Sequence, residues 1–312
     1  MPMIKRTLYF GNPAYLSIAY EQLVIKLPEV ESNKSIPDSM KKESTRTVPI
    51  EDIGFVILDN NRITITHSLL DKLIANNCAV ITCDASHMPS GLFLPLSGNT
   101  TQSERFRYQI EASLPLKKQL WQQTIEQKIR NQAALLAEIH GEPAKNMLVW
   151  AKEVRSGDSD NREGRAAAYY WRNVFKDIRD FTREREDLLP NSLLNYGYAI
   201  LRAVVARALV SSGMLPTLGI HHRNRYNAYC LADDIMEPYR PYVDKLVVEL
   251  MERYDVEGEL TLDIKRELLQ IASLDVTISD IRRPLMVAVS QTTASLYKCF
   301  KGESRKIAYP EM

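Results

Sequence analysis

The stretch FVILDNNRITITHSLLDKLIANNCAVITC, residues 55–83, decides how the first part of the chain folds. FVIL at 55–58 is a short apolar run rich in β-branched residues, and Asp59-Asn60-Asn61 ends it with turn formers. RITIT at 62–66 and CAVITC at 78–83 read as two more strands. Between them, residues 67–76 bring Leu69, Leu70, Leu73 and Ile74 to one face of a short helix that Asn76-Asn77 closes. Working outward, TLYF at 7–10 and EQLVIKL at 21–27 add strands on the N-terminal side. The polar segment 28–45, with Glu29, Glu31, Lys34, Lys41, Lys42 and Glu43, has little to bury and is expected to form an exposed, mobile loop.

On the other side, PLSGNTTQ at 95–102 is the best boundary, and beyond it the apolar period changes to about 3.6. Helices are expected over 104–138, 143–156, 163–182, 191–212, 231–254, 260–272 and 279–300, with Pro115 and Pro284 ending or kinking them. The expected class is therefore α+β: a small β-rich domain over 1–98, followed by an all-α domain over 99–312. No internal repeat is visible.

Composition excludes several classes. With 40 basic against 39 acidic side chains, 25% charged and 45% hydrophobic residues, the chain is too apolar and too balanced to be disordered, and 12 Gly with 15 Pro is no low-complexity excess. At 312 residues it exceeds the roughly 150 typical of one domain, so two units are expected. Neither half is a basic block, so any nucleic-acid surface must come from local clustering. The N-terminus, MPMIKRTLYFGNPAYLSIAY, lacks a signal-peptide pattern, and the expected compartment is the cytoplasm. The longest apolar helical stretch, 193–209, carries Asn195, Arg202 and Arg207, too costly for a bilayer core, so no membrane span is expected. Cys78, Cys83, Cys230 and Cys299 form no CxxC pair and read as reduced core thiols.

There is no P-loop, GxGxxG or HExxH. Polar residues gather in two places instead. In GDSDNREGRAAAYYW, 157–171, any of Asp158, Ser159, Asp160 and Asn161 can cap the following helix, with Glu163 in its first turn; the small residues Gly164 and Ala166–Ala168 leave room beside Glu163 for a backbone or a ligand. In GIHHRNRYNAYCLADDIMEPYRP, 219–241, Asp234 and Glu237 stand three apart. Spacing allows either an N-cap with its capping-box partner or, with His221 and His222, a ligand set suited to Mn²⁺ or Mg²⁺. Arg162, Arg165, Arg172, Lys176 and Arg179 could line one helix stripe, while Arg223, Arg225 and Arg240 flank the histidines. Phosphate contacts account for both groups, and so do solvated helix faces with pairs such as Lys176 to Asp180.

Taken together, VRSGDSDNREGRAAAYYW, NSLLNYGYAILRAVVARAL, GIHHRNRYNAYCLADDIMEPYRP and the N-terminal RTLYF and VPIEDIGFVILDNNRITITHSLLDKLIANNCAVITCDASHMPSGLFLPL resemble the catalytic integrase subunit of the CRISPR adaptation machinery, in its type II form. The resemblance spans most of the chain apart from the polar loop and the last dozen residues. It implies a β-rich domain that mediates homodimerisation and a helical catalytic domain. It also implies that the metal-binding residues fall on Glu163, His222 and Glu237, the last in place of an aspartate common among relatives, with Asp234 an auxiliary acid and His221 a neighbour. The implied cofactor is Mg²⁺ or Mn²⁺. The implied chemistry is attack of a DNA 3′-hydroxyl on a repeat phosphodiester, with endonuclease capacity from the same site.

Arg162, Arg165, Arg172, Arg223, Arg225 and Arg240 are the DNA-binding candidates. Implied partners are double-stranded DNA, as spacer precursor and as repeat, a second copy of the chain, and a small ferredoxin-like protein that bridges two dimers into a heterohexamer. In the type II form, the effector nuclease and a DNA-end-binding accessory protein join them. Two other readings remain: a stand-alone nuclease for branched DNA in repair, and a non-catalytic scaffold whose carboxylates serve only as helix caps.

Overall fold

The computed structural model describes residues 5–176, 178, 181–183, 189–254 and 261–312. Two compact units divide at Leu96 and Ser97.

The first unit carries two four-stranded sheets. In one, β1 (Arg6–Phe10), β5 (Ile53–Leu58) and β7 (Ala79–Cys83) run parallel, and β8 (Pro89–Phe93) closes the edge antiparallel to β7. β5 is central, and its residues Ile53 to Ile57 are all buried, which is why its sequence is a continuous apolar run. The second sheet is built on the hairpin of β2 (Tyr15–Ala19) and β3 (Gln22–Lys26), whose turn residues Tyr20 and Glu21 both take positive φ. β4 (Arg46–Pro49) and the short β6 (Thr64–Ile65) flank it. β2, β4 and β8 were not foreseen, because each is short and interrupted by polar or turn-forming residues. The segment 28–45 is exposed as expected, but it contains two short helices, α1 (Pro28–Glu31) and α2 (Asp38–Ser44), neither with a buried residue. Helix α3 (His67–Ala75) forms as read: Thr66 caps it, and Leu69 and Leu73 enter a core with Leu16, Leu23, Ile53 and Val56.

The second unit is mostly helical. The expected helix over 104–138 is two helices, α4 (Gln102–Glu111) and the 27-residue α5 (Leu114–His140), because Ser113 turns extended and caps Leu116 ahead of Pro115. α6 (Lys145–Lys152), α7 (Arg162–Val174) and α8 (Asn191–Ser211) follow. α8 is long and apolar enough to cross a membrane, yet 83% of its apolar window is buried inside the unit. The helix expected over 231–254 is interrupted: α9 (Cys230–Met236) gives way to a 3₁₀ turn, Glu237–Tyr239, before α10 (Arg240–Arg253). Pro238 lacks the N–H a continuous helix would need there. α11 (Leu262–Leu268) comes next.

The expectation of an exclusively helical second unit needs one correction. β9 (Asp275–Ile278), β10 (Ile281–Pro284) and β11 (Pro310–Glu311) form a small antiparallel sheet, and the helix expected from 279 begins only at Leu285 as α12 (Leu285–Lys301). Ser279 and Asp280 both take positive φ, which makes a hairpin turn where a helix start was read, and Pro284 then ends the strand. None of the four cysteines is bonded to another, and Cys78, Cys230 and Cys299 are buried as expected.

Candidate active site

Three parts of the second unit converge on one point, and the side chain at that point is Lys128 of α5. Its Nζ lies 2.6 Å from Glu163 Oε1 at the start of α7 and 2.6 Å from Glu237 Oε2 in the 3₁₀ turn. The two carboxylate oxygens are thus within about 5 Å of each other. Lys128 donates a hydrogen bond to Glu163 and holds the buried Glu237 Oε2 at the same distance as an ion-pair partner. Arg240 Nη2 approaches the other Glu237 oxygen at 3.1 Å. Burial by itself would raise the Glu237 carboxyl, but Arg240 and Lys128 hold it below the usual carboxylate range. Burial likewise works against the charge on Lys128, and the Glu237 and Glu163 carboxylates outweigh it, keeping the ammonium above the ordinary lysine value.

Glu163 owes its position to a tightly wound helix start. Asp158, in the left-handed region, accepts the backbone N–H of Arg162 at 2.8 Å and of Glu163 at 3.0 Å, and Asn161 accepts that of Gly164 at 3.1 Å. The cap and the functional placement are therefore compatible. Two side chains occupy the orphan donors of α7, and Glu163 is free to face Lys128.

For Asp234 the capping-box reading fails. It sits inside α9, fully buried, and its carboxylate points back to the loop before the helix. There it accepts the N–H of Ile220 at 2.7 Å, of His221 at 2.9 Å and of His222 at 3.2 Å, together with His222 Nδ1 at 2.5 Å. Gly219 begins this loop because a Cβ would come 2.4 Å from the His222 carbonyl oxygen and 2.7 Å from Asp234 Oδ2. Asp234 thus orients His222 by its Nδ1 and leaves Nε2 free as a donor atom. The hydrogen bond to Asp234 holds the His222 imidazole above its ordinary value.

The neighbouring imidazole is used differently. His221 stacks on the Trp121 ring at 4.1 Å and 2°, and burial, followed by the nearby His222, pushes it down. Glu163 and Glu237 thus meet at Lys128, and His222 pairs with Asp234; among the described residues no three His, Cys, Asp or Glu side chains are grouped so that they could hold a metal ion as they stand.

The arginines divide. Arg240 belongs to the site through Glu237 and lies 4.7 Å over the Tyr198 ring. Arg162 pairs with Glu153 at 2.9 Å, and Arg165 lies over the Trp150 ring at 4.7 Å, so both have partners within the unit. Arg172, Arg223 and Arg225 are exposed, the last over the ring of Tyr226. Arg179 and Asp180, the expected partner of Lys176, fall outside the described residues, and Lys176 itself lies 3.3 Å from His140 Nδ1.

Several residues in this neighbourhood were not singled out from the sequence. Lys128 is the foremost, and a signal for it exists: it shares the buried stripe of Trp121, Thr124, Ile125 and Leu135 on α5, where an unpaired lysine would be prohibitively costly. Beside it opens a cleft of about 600 Å³ lined in part by Lys128, Trp171, Arg183, Tyr198, Arg202 and Arg240. In its wall the buried Asp244 accepts hydrogen bonds from the hydroxyls of Tyr170, at 2.7 Å, and Tyr198.

The family model described as CRISPR associated protein Cas1 matches residues 9–266. The chain is 37% identical over 294 residues to the CRISPR-associated endonuclease Cas1 of Neisseria meningitidis serogroup C (strain 8013), covering 94% of this chain and 91% of that relative. Its fold superposes with a TM-score of 0.77 and 20% identity on a casposase bound to integration product, over 98% of this chain and 92% of the other. A Cas6-RT-Cas1–Cas2 complex matches with a TM-score of 0.72 and 17% identity, over 97% of this chain and 35% of the larger one. The family match and the Neisseria relative, both extending over most of the sequence, make the chain a member of the Cas1 family of CRISPR-associated proteins.

Proposed function

We propose that this protein is a metal-dependent DNA integrase with endonuclease capacity, which inserts foreign DNA fragments as new spacers into a CRISPR array. The observation that carries the reading is the convergence of Glu163 and Glu237 on one cation position beside a histidine held by a buried carboxylate. Two carboxylates and an imidazole are donor types that suit Mg²⁺ or Mn²⁺, and the carboxylate pair already accommodates positive charge at Lys128. Glu163, His222 and Glu237 would hold the ion. When bound, it supplies Lewis-acid activation of a phosphodiester and neutralises charge that builds on the phosphate oxygens.

The chain's own groups do the rest. Asp234 holds the His222 ring by Nδ1 and leaves Nε2 on the side away from that carboxylate. Arg240 keeps Glu237 ionised and contributes positive charge to the adjoining cleft. The cleft's basic groups, among them Arg183, Arg202 and Arg240, suit a DNA strand end, with phosphates on the cations. A 3′-hydroxyl positioned there attacks a repeat phosphodiester and gives strand transfer, whereas water in its place gives cleavage.

The near-neutral net charge means that one subunit lacks a strong overall attraction for duplex DNA, so clustered arginines from several subunits must share the load. A homodimer bridged to another by a small ferredoxin-like partner meets that need, and the cytoplasm is the compartment where both DNAs are found. The test is a strand-transfer assay with a short duplex and a repeat-bearing plasmid in Mn²⁺, with the small partner present. Joined product is expected, and Glu163→Gln, His222→Ala and Glu237→Gln should each lower its rate on the order of a thousandfold. Hydrolysis without joined product would favour a branched-DNA nuclease, and unimpaired variants would favour a scaffold.

A further inference from the structure

We infer that Lys128 is the built-in counter-ion of the metal-free site, which a divalent cation must displace from between Glu163 and Glu237 in order to bind. The inference rests on the proposed metal site and adds a competitor to it. The Lys128 ammonium is 2.6 Å from an oxygen of each carboxylate, and its side chain is only 10% exposed. Two ionised carboxylates this close, one of them buried, repel each other strongly unless a cation lies between them. Lys128 is that cation, so the site can stay folded, ionised and assembled before any metal arrives.

A divalent ion needs the same oxygens. Mg²⁺ binds carboxylate oxygens at about 2.0–2.1 Å, which puts it in the space the ammonium fills, and two cations cannot share that point. Lysine suits such an exchange, being a compact charge on a flexible four-carbon stem. It also has somewhere to go: Lys128 already lines the 600 Å³ cleft, where a DNA phosphate could receive its charge. Metal binding therefore works against an internal ion pair, which weakens metal affinity and leaves the cation-loaded form dependent on ambient metal.

The experiment uses the full chain with Lys128→Met and Lys128→Gln, with Lys152→Met on the exposed face of α6 as a charge control. Mn²⁺ affinity is measured by titration calorimetry and by loss of the free Mn²⁺ electron paramagnetic resonance signal, and thermal stability is measured in chelator and in Mn²⁺. The expected result is Mn²⁺ binding about tenfold tighter or more in the Lys128 variants, together with a lower Tm in chelator that Mn²⁺ restores. Lys152→Met should leave both unchanged. A Lys128 variant that folds only with Mn²⁺ counts in favour.

Unchanged or weaker Mn²⁺ affinity in both Lys128 variants overturns the inference, as does failure of Mn²⁺ to restore their stability. Glu163→Gln separates the two readings. If it abolishes Mn²⁺ binding while the Lys128 variants bind no tighter, the metal site stands and the counter-ion falls. If the parent binds no Mn²⁺ at all, both fall.

Discussion

Removing the Asp234 carboxylate should cost more than any single hydrogen bond in the site, because one buried group serves four donors. In Asp234→Ala, the N–H groups of Ile220, His221 and His222 and the His222 Nδ1 lose their acceptor together. Ile220 is 3% exposed, so its N–H cannot recruit water, and an orphaned buried donor costs about 1–3 kcal/mol. The His221 and His222 amides lie in an exposed segment where water can replace the carboxylate, and roughly 0.5 kcal/mol each is a fair allowance. The His222 side chain is 45% exposed, so solvent screening limits its charge pair to about 1 kcal/mol at most. The sum is about 2–5 kcal/mol, read as a shift in the urea midpoint multiplied by an unchanged slope.

A pH dependence accompanies the loss. His222 is raised above its unfolded value, so its contribution is fully present below the unfolded histidine pKa and disappears as pH rises through the folded one. The destabilisation by Asp234→Ala should therefore be larger near pH 6 than near pH 9 by up to about 1 kcal/mol. Proton NMR titration of His222 should show its pKa falling in the variant. A variant within about 0.5 kcal/mol of the parent at both pH values, with His222 titrating as before, would refute the assignment of Asp234 as organiser of this loop.

Three other outcomes are expected. Asp244 is pushed up to about 6 by burial, against the hydrogen bonds of Tyr170 and Tyr198, so the folded state holds its proton more tightly than the unfolded state does. This group makes the parent lose about 2 kcal/mol of stability between pH 4 and pH 6, and urea denaturation at those two pH values should show that slope gone in Asp244→Asn. Arg223→Ala and Arg225→Ala, at exposed positions, should each weaken DNA binding evenly across sequences and lower the salt slope by about 1, whereas Arg162→Ala, whose partner is Glu153, should leave the slope unchanged. Asn131 donates to the Pro238 carbonyl at 2.7 Å and the Pro310 carbonyl at 3.0 Å and accepts the Met312 N–H at 3.2 Å, tying β11 to the turn that carries Glu237. Asn131→Ala should lose about 2–4 kcal/mol in denaturation and reduce strand transfer as well.

What could be read without coordinates was whatever depends on neighbours in sequence. The apolar runs at 55–58 and 78–83, the amphipathic helix starting at His67 and the change of period after PLSGNTTQ are local regularities, and the two units follow from them. Glu163, His222 and Glu237 were nameable because their flanking motifs are long enough to resemble a family. Periodicity by itself left Glu163 and Glu237 with a helix-cap alternative.

The misplacements came where a proline or a left-handed turn overrides periodicity. A 3₁₀ turn takes the place of helix at Glu237–Tyr239, and a hairpin turn forms at Ser279-Asp280. Only the tertiary structure could bring Lys128 to both carboxylates, turn Asp234 from supposed cap into the anchor of His222, and stack His221 on Trp121. These relations join residues tens of positions apart, and electrostatic and hydrogen-bond energies depend on distance in space, which no spacing along the chain encodes.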